Sequence, residues 1–282
     1  MDTHEVEVQP EPAAVEVVED APAPAPEETV AGQQVVAPEA AVARDAGNWA
    51  KTVKTLTVGE VAPGALNLNV EGRRVVSPLQ GFGRLWQKTY RIRFGPVQVP
   101  PKDVIRAWKQ NFPKFWPEQG KFFGSLSGIA PGEVAVLNLA MAGRAKLSTG
   151  IMVMYADDES FTFMDPEGHM FAGWITFSAY ELDGETVAQV QPLIRANDPL
   201  FELGMPVILR KEDRFWEQVL RNLAGHFLVE GEFSKEAVCV DRHRQWKYWK
   251  NVRHNAMIRS LLHPLGRPFR ALAAMFRRKR PD

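Results

Sequence analysis

The sequence has only one cysteine, Cys239, in 282 residues. A single thiol excludes an intramolecular disulfide framework and any multi-cysteine metal site, and it suits a reducing, cytoplasmic compartment. Long apolar runs are missing too: no stretch approaches the ~18 uninterrupted apolar residues of a membrane-spanning helix. The N-terminus is acidic and lacks the apolar core of a secretory signal. From Met1 to Asn48 there is no aromatic residue and no lysine. Net charge is absent as well, with 34 Lys+Arg against 34 Asp+Glu, but only as an average over opposite ends. Residues 1–45 carry eleven acids and one base, Arg44, whereas residues 241–282 carry twelve bases and two acids. The 195 residues between them hold 21 of each sign. The chain therefore reads as an acidic tail, a neutral domain and a basic, partner-seeking end.

Ala, Pro, Val and Glu dominate the tail, with Ala21-Pro22-Ala23-Pro24-Ala25-Pro26 at its centre. Such a segment cannot bury enough apolar surface to offset its ordering entropy, so residues 1–48 are predicted to be disordered and self-repelling. Order is expected to begin near Trp49. Residues 49–87 mix β-favouring pieces with Pro63-Gly64 and Gly81-Phe82-Gly83, and form a leading segment packed on the domain. That Gly-x-Gly runs into Arg84-Leu85-Trp86 rather than into a third glycine and a helix, which excludes a dinucleotide loop.

From Lys88 onward the pattern sharpens. Tyr90, Ile92 and Phe94 alternate with Arg91 and Arg93, the period of a half-buried strand. Pro100-Pro101 opens a short helix with Val104, Ile105 and Trp108 on one face, and Pro113 and Pro117 are expected to stop it. Consecutive extended runs follow: Glu133–Met141, Lys146–Ala156, Ser160–Met164, His169–Tyr180 and Thr186–Ala196, with Asp183-Gly184 as a hairpin turn. With no helix between them they predict an antiparallel meander. Beyond Asn197-Asp198-Pro199 the period becomes helical, and Trp216, Val219, Leu220, Leu223 and Phe227 make one apolar stripe. Gly204 and Pro206 lie early in it, so the helix is expected either to bend there or to start properly near Arg210.

Strand, short helix, meander and long C-terminal helix form an α+β order that resembles the START/polyketide-cyclase/pollen-allergen (SRPBCC) superfamily. Four segments are similar to a bacterial branch of it: Pro78-Leu79-Gln80-Gly81-Phe82-Gly83, Trp86-Gln87-Lys88-Thr89-Tyr90, Pro166-Glu167-Gly168-His169-Met170-Phe171-Ala172-Gly173-Trp174 and Lys211-Glu212-Asp213-Arg214-Phe215-Trp216. The resemblance runs from Pro78 to Phe227. It implies a helix-grip fold, a curved antiparallel sheet around the long helix, with a cavity that takes apolar or amphipathic ligands. A minority of such proteins carry out cyclase, dehydratase or hydrolase chemistry there, and no catalytic motif of the branch transfers to this chain. The implied organisation is a tail at 1–48, a leading segment at 49–87, a helix-grip domain at 88–230 and a basic aromatic extension at 231–282.

The six histidines, His4, His169, His226, His243, His254 and His263, give no i, i+4 pair and no His-Glu-x-x-His, so neither metal nor cofactor is expected. No serine sits in Gly-x-Ser-x-Gly. His169 is the candidate base: at a cavity mouth it would titrate near neutral pH, and otherwise it is a turn histidine bonded to its own loop. A cavity between the sheet and helix 210–228 would draw on Trp174, Thr176 and Ser178, on Gln191 and Arg195, and on Phe215, Trp216 and Val219. Which sheet face lines it stays open, because Pro192 can mark a bulge that shifts the alternation.

The extension interleaves bases with Trp246, Tyr248 and Trp249. Trp246, Trp249, Met257, Ile258 and Leu261 would dock on the domain if the apolar content is buried. A last helix at 269–280 presents Phe269, Leu272 and Phe276, and with Arg267 it supplies six cations: Arg267, Arg270, Arg277, Arg278, Lys279 and Arg280. These suit an anionic membrane surface or the chain's own acidic tail, with nucleic acid ranking last. Three functions follow. The first is a non-enzymatic carrier or sensor of a hydrophobic small molecule or lipid, and it is the one expected. The second is an enzyme using His169 in the same cavity. The third is an interaction protein acting through its basic end.

Overall fold

The computed structural model describes residues 46–60, 63–95, 99–118, 120–124, 128–140 and 146–263. Most of the tail expected at 1–48 lies outside the described residues, as do the helix expected at 269–280 and all six cations from Arg267 to Arg280.

Eight strands form one sheet: β1 (Leu85–Arg93), β2 (Gly120–Phe123), β3 (Val134–Ala140), β4 (Lys146–Ala156), β5 (Ser160–Met164), β6 (Phe171–Leu182), β7 (Glu185–Ala196) and β8 (Glu232–Asp241). Their order is β2-β3-β4-β5-β6-β7-β1-β8, and every pairing is antiparallel. The meander is the expected one, and β1 returns to pair with its last strand. The β6–β7 hairpin turns on Asp183 (φ 54°) and Gly184 (φ 78°), the doubly left-handed turn that matches strand twist. Pro192 does not shift the register, because β6 and β7 pair without interruption from Phe171↔Ala196 to Leu182↔Glu185. The alternation can therefore be read straight through. Ala188, Val190, Ile194 and Ala196 share one face of β7, and Gln189, Gln191 and Arg195 share the other.

Two helices pack on the inner face. Helix α1 (Pro101–Phe115) passes through Pro113 instead of stopping there. The backbone leaves helical geometry at Asn111 (φ −119°), two residues before Pro113, and the Asn111 side-chain amide donates to the Ala107 carbonyl at 3.1 Å. Helix α2 (Pro199–His226) starts well before Arg210. Asp198 caps it by accepting from the Leu200 and Phe201 amides at 2.9 and 3.1 Å, and Pro199 occupies the first turn. Pro206 lies on the exposed face, where the carbonyl it leaves unpaired can turn to water. The cap was strong enough for Gly204 and Pro206 to be carried inside the helix.

The core between α1, α2 and the sheet is aromatic. Phe177 stacks on Phe161 with centroids 4.6 Å apart and meets Trp108 and Phe112 edge-on at 5.3 and 5.4 Å. Such geometry adds about 0.5–1.5 kcal/mol per pair beyond area burial. The outer face of β3 and β4 is covered as well. Leu56 and Val70 of the leading segment pack on Val134, Val136 and Met152. Asn138 there accepts from the Leu66 amide at 2.9 Å and donates to the Leu66 carbonyl at 3.0 Å.

The sheet does not end at residue 230. β8 extends it along the free side of β1, and the chain then forms a 3₁₀ helix (Trp246–His254) and helix α3 (Ala256–Leu262). Docking there is selective: Ala256 and Ser260 are buried and Met257 packs on Phe171 and Phe201, while Trp246, Trp249 and Leu261 stay exposed. Gly168 marks the closest approach. Its φ is +90°, and a Cβ there would lie 2.0 Å from the His254 carbonyl oxygen, so only glycine lets the two segments meet. Cys239 is a free thiol. Among the described residues no helix is long and apolar enough to cross a membrane.

Candidate functional site

The inner face is not filled along its whole length. Between the N-terminal two-thirds of α2 and strands β2–β6 lies a cavity of about 790 Å³. Its walls are Leu137, Leu139, Leu147 and Ile151 from the β3–β4 hairpin, Phe163 and Ile175 from β5 and β6, Trp116 from the α1–β2 connection and Phe122 from β2. From α2 come Phe201, Gly204, Ile208, Phe215 and Trp216, and Met257 of α3 closes one end. Gly204 of α2 is among the lining residues, and its lack of a side chain leaves that part of the wall low. The opening is marked by the lining residues that are exposed: Ala140, Leu200, Val207, Lys211, Arg214 and Gln218.

One polar patch interrupts the apolar wall. Asp165, at the end of β5, and His169, in the turn before β6, both line the cavity and are both buried. His169 Nδ1 lies 3.1 Å from the Phe171 amide nitrogen and 3.3 Å from the Phe171 carbonyl oxygen, so it accepts from the amide in one tautomer and donates to the carbonyl in the other. Burial pushes the His169 pKa down to about 4. Burial, and after it the negative charge of Glu212, push Asp165 well above the usual carboxylate range. Asp165 Oδ1 lies 3.3 Å from the same Nδ1, so the two groups share the patch. A histidine this weakly basic is a poor proton acceptor at neutral pH.

Opposite the patch stands a buried charged joint. Lys88 of β1 reaches Glu212 Oε2 at 3.1 Å, Asp213 Oδ1 at 2.5 Å and the Leu209 carbonyl at 3.3 Å. The Tyr90 hydroxyl donates to Asp213 at 2.9 Å, and Lys235 of β8 reaches its other oxygen at 2.9 Å. Burial raises the Glu212 pKa in spite of Lys88, while hydrogen bonds from both lysines and Tyr90 outweigh burial at Asp213 and lower it. The joint thus unites two segments of the resemblance, Trp86–Tyr90 and Lys211–Trp216.

Of the residues expected to form the site, His169, Phe215 and Trp216 line the cavity. Val219 is buried in the core instead. Trp174, Thr176 and Ser178 point to the outer face, where Thr176 meets Thr162 across the strands at 3.0 Å. Gln191 is on that face too, donating to Thr89 Oγ1 at 3.1 Å. Arg195 is a clamp for the C-terminal extension: its guanidinium donates to the Gly83 carbonyl, the His243 carbonyl and the Asp241 carboxylate. Sequence reasoning missed Asp165, Glu212 and the β3–β4 leucines. Strand parity carried the signal, since Phe171, Ile175 and Phe177 share a face and that face is the inner one. Among the described residues no cluster of three or more His, Cys, Asp or Glu is placed to hold a metal ion.

A sheet gripping one long helix, with an apolar cavity between them, defines an α+β helix-grip protein. No family model and no curated protein matches the chain. Among solved structures it is similar to protein Ms6760 from Mycobacterium smegmatis, at 14% identity over 55% of this chain and 96% of that one, with a TM-score of 0.38. It is similar to the di-domain ARO/CYC protein StfQ of the steffimycin biosynthetic pathway, at 6% identity over 50% of each chain and a TM-score of 0.40. It is also similar to major latex-like protein 151 from Panax ginseng, at 13% identity over 52% of this chain and 99% of that one, with a TM-score of 0.36. The last two are SRPBCC helix-grip proteins, and at these identities the likeness concerns the fold.

Proposed function

We propose that this chain binds a hydrophobic or amphipathic small molecule or lipid in the cavity under α2, as a carrier or sensor and without chemistry. The cavity itself carries the reading: about 790 Å³ lies within the ~300–1,000 Å³ typical of small-molecule sites, and its walls are mostly aliphatic and aromatic, with Asp165, His169 and Glu212 inside and Lys211, Arg214 and Gln218 at the rim. A carrier needs such a space, and an enzyme would need in addition a group poised to exchange protons near neutral pH. His169, held near 4, is not poised in that way. Native mass spectrometry of freshly purified full-length protein is expected to show a retained apolar adduct, and an apolar dye should bind the stripped protein with one-to-one stoichiometry. Protein that carries no adduct and binds no dye would rule the reading out. Turnover abolished in a folded His169→Ala variant would turn it toward catalysis.

A second reading, peripheral attachment to an anionic bilayer, is favoured by the exposed residues of α2 at and beside the cavity opening. Leu200, Leu203 and Val207 are exposed there, Leu203 at 82%, and the next turn presents Arg210, Lys211 and Arg214. Apolar side chains followed by cations are what an interfacial helix offers, each cation contributing roughly 1 kcal/mol near an anionic leaflet. The cations of residues 267–280 would add to this, and the acidic residues of 1–48 would compete for both sets. Sedimentation with phosphatidylserine vesicles should fall in Leu203→Glu and in a 269–282 deletion, and rise in a 1–48 deletion. Equal sedimentation by all of them would remove the bilayer.

A further inference from the structure

The charges along α2 are not matched evenly. Each of its four acids has a basic partner: Glu202 has Arg244, Glu212 has Lys88, Asp213 has Lys88 and Lys235, and Glu217 has Arg221. Three of its four bases, Arg210, Lys211 and Arg214, are exposed and make no ion pair among the described residues. Lys211 and Arg214 are also the cations of the cavity lining, both at its opening.

The interior is arranged the opposite way. Its charged or chargeable lining groups are Asp165, His169 and Glu212. The nearby Lys88 ammonium is enclosed by the Leu209 carbonyl, Glu212 and Asp213, and has nothing left to offer an anion. Asp165 Oδ2 is buried without a hydrogen-bond partner in the described structure. A negative head pushed inward would lose its water next to two carboxyl groups and gain no cation in return. At the opening it keeps part of its water and meets two unpaired cations, one of them able to grip two oxygens at once.

Building on the proposed binding function, we propose that the ligand is an anionic amphiphile with one acyl chain. The chain lies inward along α2, and the carboxylate or phosphate head rests on Lys211 and Arg214. From Lys211 and Arg214 back to Leu200 the lined stretch of α2 runs roughly 17–21 Å at about 1.5 Å of rise per residue, room for an extended acyl chain of about that length. The apolar wall holds the chain, and the charges fix its direction.

The test is displacement of an apolar dye from the full chain by four probes below their aggregation limits: hexadecanoate, hexadecyl phosphate, hexadecan-1-ol and hexadecyltrimethylammonium. The anions are expected to bind about tenfold tighter than the alcohol, with the ammonium weakest, and 0.5 M salt should shrink the gap by screening. In Lys211→Glu/Arg214→Glu, both exposed positions, the anions should lose about tenfold or more, the alcohol should hold steady and the ammonium should gain. Comparing the two anions tells a carboxylate head from a phosphate head. An alcohol as tight as the anions, or anion binding untouched by the double substitution, overturns the assignment of head group and direction while leaving a ligand cavity in place. Failure of the dye and all four probes to bind would instead remove the cavity function on which it rests.

Discussion

Lys88→Met is expected to destabilise the protein by about 3–5 kcal/mol, the cost of leaving a buried charge without its partner. At roughly 2–4 °C per kcal/mol for a domain of 150–250 residues, that lowers the thermal midpoint by about 6–20 °C. The Lys88 and Glu212 side chains are 4% and 7% exposed, so water cannot replace the lost ammonium. Asp213 keeps the Tyr90 hydroxyl and Lys235, whereas Glu212 keeps only the Trp216 indole N–H at 3.4 Å. The effect should therefore depend on pH. Burial already raises the Glu212 pKa, and removing Lys88 raises it further. A raised folded-state pKa contributes stability that is present below the unfolded value and is lost as pH rises through the folded one. The deficit should be largest at pH 8 and shrink toward pH 5. Lys88→Met/Glu212→Gln should recover most of it, because no charge is then left buried. Urea unfolding of the three proteins at both pH values decides the matter: a single variant as stable as the parent at pH 8 would mean that the joint does not hold α2 to β1.

The same joint shows what the sequence could and could not reveal. Tyr90, Ile92 and Phe94 announced a strand through simple alternation, and Lys88 shares their inward parity, but a lysine facing inward reads as an error until its partners are known. Those partners lie on a helix far along the chain, so the pairing is a property of the fold and not of any local pattern. The meander was legible because each turn carries its own chemistry, most clearly Asp183-Gly184 with both residues in the left-handed region. β8 was not legible. It is an edge strand whose side chains are mostly exposed on both faces, so no alternation of apolar and polar residues marks it. The start of α2 was ambiguous for a related reason: Gly204 and Pro206 are poor helix formers, and the buried cap at Asp198, held also by Asn255 at 2.7 Å, outweighs them.

The outward placement of Trp174, Thr176, Ser178 and Gln191 follows from one ambiguity. A mixed aromatic and hydroxyl face suits a pocket as well as an outer surface, and only the uninterrupted β6–β7 register shows which way it points. Phe215 and Trp216 were easier to place, because a stripe on a long helix must face the sheet that the helix packs on. The cavity lining assembles residues from the sheet, the α1–β2 connection, the turn before β6, α2 and α3, and no single segment contains its outline. What the sequence did carry was the glycine that leaves one part of the wall low.

Gly204→Phe is therefore expected to abolish dye binding without loss of stability. Gly204 lies in the interior of α2 on the face that lines the cavity, between Leu200 and Phe201 on one side and Val207 and Ile208 on the other. A Cβ there would meet Ile208 Cδ1 at 3.4 Å, an ordinary van der Waals contact, and nothing nearer, so the Cβ itself fits without displacing a neighbour. Glycine costs a helix interior about 1 kcal/mol relative to alanine and phenylalanine about half that, so the helix itself should gain roughly 0.5 kcal/mol. Binding moves the other way. Displacing about 55 Å² of ligand contact, at ~25 cal/mol per Å², already weakens affinity about tenfold, and a whole ring in the groove should displace more. Leu203→Phe is the control: it introduces the same ring one residue away, on the solvent side of the helix, and should leave dye affinity unchanged. Opposite signs for stability and binding separate a filled cavity from a damaged fold, which would lower both. If Gly204→Phe binds dye as tightly as the parent, the dye sits elsewhere, and the space beneath α2 is not the site.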